Sequence, residues 1–168
     1  IVPHVMDALQ AIPGVNLLAR TQRDRLAIFS FYVTGIHYNL IVQLLNDRFG
    51  VQARGGCSCA GTYGHYLLHV DPTLSHSITG RIDQGDLSEK PGWVRISFHP
   101  STTMADIDHT LDAVRQIVDN VDEWAKEYVY SPLSNEFSRR DGDSGAAQAR
   151  IREWFEFGGE SVSFDPRH

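Results

Sequence analysis

Two thiols in a glycine-rich run carry the most chemical potential: Arg54-Gly55-Gly56-Cys57-Ser58-Cys59-Ala60-Gly61-Thr62-Tyr63-Gly64-His65. Thiolate is the reactive form of cysteine, and a nearby guanidinium, protonated imidazole or row of backbone N–H groups lowers the thiol pKa. Arg54 and His65 stand close enough in sequence for that, and Gly55, Gly56, Gly61 and Gly64 let the backbone approach a ligand. The plainer reading is two inert thiols among turn glycines. A metal reading also exists, in which Cys57, Cys59, His65 and His69 offer two sulfurs and two ring nitrogens to zinc. The single residue between the cysteines is shorter than the usual zinc-ligand spacing. A disulfide between them would close only a tiny loop and hardly restrict the unfolded chain.

A second chemically loaded position is Arg95, in Trp93-Val94-Arg95-Ile96-Ser97-Phe98. An unpaired charge among apolar neighbours is expensive, so Arg95 is expected to have an anionic partner rather than to be a plain strand-edge arginine. No role is assigned to His37, His76, His99 or His109, which are expected on the surface or at element ends. Lysine is scarce: Lys90 lies in a turn flanked by proline and glycine, and Lys126 at the end of a predicted helix.

The elements that must position these residues are legible from periodicity. Val5, Leu9 and Ile12 recur at helical spacing over residues 2–12, and Pro13-Gly14 stops the helix before a short strand at 15–19. Residues 26–33, rich in aromatic and β-branched side chains, suit a buried strand. From 37 to 49, Leu40, Ile41, Leu44, Leu45 and Phe49 line one helical face, with Gly50 as the stop. A short strand at 51–54 leads into the thiol loop, and 93–98 is the next strand, ended by Pro100. A helix capped by Ser101, Thr102 or Thr103 then runs to about residue 128, with Ile107, Leu111, Val114, Ile117, Val118 and Val121 on one face. The polar stretch from 131 to 147 reads as linker. Residues 147–157 read as a short helix whose Trp154, Phe155 and Phe157 form a docking stripe. This order predicts an α+β two-layer sandwich, a small mostly antiparallel sheet with helices on one face. The domain boundaries expected are 1–130 for the globular part and 131–168 for linker and tail.

With 168 residues and 42% hydrophobic content, the chain is long enough to bury one core. Its 15 basic against 21 acidic residues give a net charge of −6, which argues against a nucleic-acid partner. No apolar run approaches the ~20 residues needed to span a bilayer, so a soluble, cytoplasmic protein with no membrane partner is expected. The start at Ile1, without methionine and inside the first predicted helix, suggests a fragment.

Arg54-Gly55-X-X-X-Cys59-Ala60 after a helix and short strand, then Val94-Arg95-Ile96-Ser97-Phe98, then Thr103-Met104-Ala105-Asp106-Ile107-Asp108, resembles the C-terminal small domain of class V aminotransferases. Within that superfamily the chain is most similar to group II cysteine desulfurases and selenocysteine lyases, over roughly residues 2–121. The resemblance implies a pyridoxal 5'-phosphate enzyme of the fold-type I class acting on an amino-acid substrate. Cys59 would be the nucleophile that takes sulfur from cysteine as a persulfide and releases alanine. Arg95 would grip the substrate carboxylate, with Arg54 supporting the site electrostatically. The lysine that binds the cofactor covalently, and the groups that hold its ring and phosphate, belong to a large domain of the same polypeptide and have no match here. This chain is therefore expected to be inactive alone and, when intact, part of a homodimer. The sequence departs from the group II pattern at Cys57 and Ser58, in the continuation 61–65, and in extra length over 67–92. The alternative is a free-standing α+β module that uses the Cys/His loop for metal binding or redox sensing.

Overall fold

A computed structural model of the protein describes residues 1–56, 67–68 and 71–142. Helix α1 (Val2–Ala11) buries Val5, Met6 and Leu9, the stripe expected from periodicity. Strand β1 (Val15–Leu17) follows a turn in which Gly14 takes φ +78°, backbone that a side chain would strain. Strand β2 is Ile28–Val33 and helix α2 is Tyr38–Phe49. Gly50 ends α2 in the left-handed conformation, φ 64°. Strand β3 (Arg54–Gly56), helix α3 (Pro72–Asp83), strand β4 (Trp93–Ser97) and helix α4 (Met104–Trp124) complete the main unit. A 3-10 turn, Ala125–Glu127, leads into a hairpin of β5 (Tyr128–Ser131) and β6 (Glu136–Arg139).

The sheet order is β1-β2-β4-β3, with every neighbour antiparallel. Side chains alternate across a strand, so Phe29 and Phe31 of β2 lie opposite Ile96 and Val94 of β4 on one face. All four are 2% exposed or less, and they share a core with Leu9, Ile41, Leu44, Ile107, Val114 and Ile117 from the helices. The expected α+β sandwich is therefore the observed one. Thr103 caps α4 by accepting from the Asp106 backbone N–H, and Asp106 accepts from the Thr103 N–H in return. That reciprocal pair holds the Asp106 carboxyl below the usual carboxylate range, chiefly through the Thr103 hydroxyl.

Three expectations are corrected. Pairing at β3 begins at Arg54 and runs through Gly55 and Gly56, rather than over 51–54. Within the stretch 67–92, read as loop, α3 forms; its Gly80 and run of small polar residues hid it, and only Ile78 is buried among its side chains described. The stretch from 131, read as linker, contains β6, whose Phe137 packs 4.8 Å from Tyr130, centroid to centroid. The helix expected at 147–157 and the stripe of Trp154, Phe155 and Phe157 lie outside the described residues.

Candidate functional site

Arg95 sits mid-strand in β4 with Val94 and Ile96 pointing into the core, so its own side chain emerges on the sheet face opposite the helices. Arg54 opens β3 and is the register partner of Arg95 on that face. Ser30 of β2 is the partner on the other side, giving the row Ser30–Arg95–Arg54 across three strands. Directly opposed residues in an antiparallel pair have Cβ atoms roughly 5 Å apart, and like charges so placed repel. Among the described residues, neither guanidinium has an ion-pair or hydrogen-bond partner. Arg95 is half-buried and Arg54 exposed. A planar guanidinium fork is of the type that binds a carboxylate or another oxyanion through two parallel hydrogen bonds.

Beside this row, on the same face, Tyr32 and Asn16 border a groove of about 760 Å³ that Gln10, Arg20 and Leu67 also line. That volume falls within the roughly 300–1,000 Å³ of small-molecule sites. A smaller hollow of about 270 Å³ lies at the other end of the fold, between the α2–β3 connection and the start of α4, and holds neither arginine. It contains His109, whose Nε2 lies 3.0 Å from the Phe49 carbonyl oxygen.

The structure brings Arg54 and Arg95 together; Cys57, Cys59, His65 and His69 lie outside the described residues. Among the described residues no group of His, Cys, Asp or Glu side chains is arranged to hold a metal ion. Nor is any helix there long and apolar enough to cross a membrane. The two lysines do not suit a covalently held cofactor: Lys126 is paired with Glu123 at 2.7 Å on the surface, and Lys90 is exposed in the α3–β4 connection.

One histidine without an assigned role has a structural one. His37 caps α2, its Nδ1 accepting from the Asn39 N–H at 3.1 Å. Burial lowers its pKa, against a weaker opposing effect of Asn135. Its ring stacks on Tyr38 with centroids 4.5 Å apart and meets Tyr130 and Phe137 of the hairpin.

The family model for class V aminotransferases matches residues 2–110, which include both arginines and the thiol run. No curated protein sequence matches the chain. Among solved structures, the cysteine desulfurase CsdA from Escherichia coli is similar at 20% identity and a TM-score of 0.43. That alignment covers 70% of this chain and 23% of CsdA, so the chain spans about a quarter of that protein's length.

Proposed function

The chain belongs to the class V aminotransferase family, and from that premise we propose that it is the small domain of a cysteine desulfurase-like enzyme, working with a large domain of the same polypeptide. The observation that carries this reading is the cross-strand opposition of Arg54 and Arg95, which have no carboxylate partner among the described residues. An enzyme acting on an amino acid needs such a receptor, because fixing the carboxylate fixes the direction of the bond to be broken.

The family is pyridoxal-phosphate-dependent in general, and the cofactor, when bound, supplies an electron sink. Neither Lys90 nor Lys126 fits the covalent attachment, so the cofactor belongs to the large domain. The residues of this chain have two tasks. Arg95 holds the substrate carboxylate, with Arg54 adding a second positive charge alongside. Cys59 receives the sulfur: an S–S bond forms on its thiolate as the carbon–sulfur bond of the amino acid breaks, the electron pair of that bond stays with the carbon, and the carbon takes up a proton so that the amino acid leaves as alanine. Arg54, five residues before Cys59, favours the thiolate. The same lyase chemistry extends to selenocysteine. A homodimer in the cytoplasm is the setting proposed for the intact enzyme.

The test is persulfide formation by the intact protein. Cys59→Ala should abolish it while cofactor absorbance remains, and Cys57→Ala should have the smaller effect. Undiminished sulfide release by the Cys59 variant would show that this thiol is not the nucleophile.

A further inference from the structure

The family match ends at residue 110, yet the hairpin at 128–139 is wired to the strands that carry both arginines. The junction is Asn135. It is 8% exposed and takes φ +58°, a left-handed conformation that asparagine tolerates better than most residues. Its Nδ2 donates to the Tyr38 hydroxyl at 2.7 Å, its Oδ1 accepts from the Tyr130 hydroxyl at 2.9 Å, and its carbonyl accepts from the Asn39 side-chain amide.

Tyr38, in turn, fills the space beneath the site strands. A Cβ on Gly92, one residue before β4, would stand 2.5 Å from its Cε1. A Cβ on Gly55, the neighbour of Arg54 in β3, would stand 3.0 Å from its Cδ2 and collide with the Asn39 side-chain oxygen. Real Cβ atoms essentially never come as close as the Gly92 position would to the Tyr38 ring, so that ring requires Gly92, while at Gly55 the Asn39 side chain, itself bonded to the Asn135 carbonyl, is the main obstacle and the Tyr38 ring a tight neighbour. The height of this ring therefore sets how closely β3 and the start of β4 seat on α2.

We propose that Asn135 is a positioning residue for the site: by holding the Tyr38 hydroxyl it fixes the ring under Gly55 and Gly92. It thereby fixes the placement of Arg54 against Arg95 and of Gly56, the residue that precedes Cys57 in sequence. The inference rests on the proposed function for the meaning of that site, but not for the coupling itself. A second attachment of the hairpin supplies the control. The Tyr128 hydroxyl donates to Asp47 at 2.9 Å, and Arg48 and Arg139 both pair with Glu127, all remote from the two glycines.

The experiment is the alkylation rate of Cys57 and Cys59 by iodoacetamide in the full chain, resolved by mass spectrometry. Asn135→Gly keeps the left-handed backbone and deletes the amide. It should accelerate alkylation about two-fold or more, the low end of coupling between contacting residues. Tyr38→Phe keeps the ring and loses the hydroxyl, and should do the same; the double variant should go no further than either single one. Tyr128→Phe loosens the hairpin elsewhere and should leave the rates unchanged. Unaltered rates in Asn135→Gly and Tyr38→Phe, additive effects in the double variant, or an equal acceleration in Tyr128→Phe would each overturn the coupling. Persulfide formation surviving Cys59→Ala in the intact enzyme would instead overturn the role of Cys59 in the proposed function and leave the coupling standing.

Discussion

On the helix side of the sheet, Phe29, Phe31, Val94 and Ile96 lie within a closed core; on the other side the same two strands present Ser30 and Arg95, and β3 adds Arg54. The first face is a packing problem already solved, in which every position contributes to stability. The second holds two like charges in direct opposition, which the isolated sheet would be better without. A single strand thus alternates, residue by residue, between positions that hold the fold together and positions that work against it. The lesson is that β4 is built for stability at 94 and 96, whereas 95 stands outside the core and is free to serve the binding role proposed for it.

Substitutions on the two faces should separate these roles. The largest effect is expected from Phe31→Ala, which empties a fully buried site and should cost about 3–5 kcal/mol of unfolding free energy; chemical denaturation measures it. Next is Arg95→Ala in the intact enzyme. Losing hydrogen bonds to a charged group should raise KM for the amino acid roughly 10- to 100-fold, with little loss of folding stability. An unchanged KM would take Arg95 out of the site, and a large drop in stability would erase the distinction between faces. Thr103→Ala removes the cap of α4 and should cost about 1 kcal/mol.

Arg54→Ala should stabilise the chain by roughly 0.2–1 kcal/mol, because it relieves a cross-strand like-charge pair. A loss of stability there would mean that Arg54 has a partner already. The last contrast is silent at neutral pH. Burial, then the hydrogen bond to Asp47 and its charge, push Tyr128 up to about 12. A raised tyrosine pKa favours the protonated, folded form. Its contribution is fully present below about 10, the unfolded value, and is lost as pH rises through about 12. Alkaline titration of tyrosine absorbance, with Tyr128→Phe as reference, checks this.

Much of the first face was readable in the sequence. Val5 and Leu9, the stripe from Leu40 to Leu45 and that from Ile107 to Ile117 announced their helices through spacing alone, and the aromatic run announced β2. Thr103 was among three candidate caps, and the reciprocal bond with Asp106 selects it. The second face was legible only in part. Arg54 and Arg95 were each singled out, but their opposition is a matter of register between strands far apart in sequence, which periodicity does not encode. Gly55 argued against a strand where β3 runs, because the reason for a glycine there is the packing of Asn39 and Tyr38 from another element. Asn135 lies in a stretch whose Pro132, Ser134 and Asn135 are turn residues, a composition that suits a linker as well as the hairpin that forms.

The sheet ends on β1 and β3, each three residues long, and β3 offers one arginine and two glycines. Unpaired strand edges template aggregation when they are long, flat and apolar. Edges this short, one of them charged, give an incoming strand too few hydrogen bonds to register upon. The same three residues that place Arg54 at the site thus also favour colloidal stability, keeping neighbouring copies from joining sheet to sheet at high concentration.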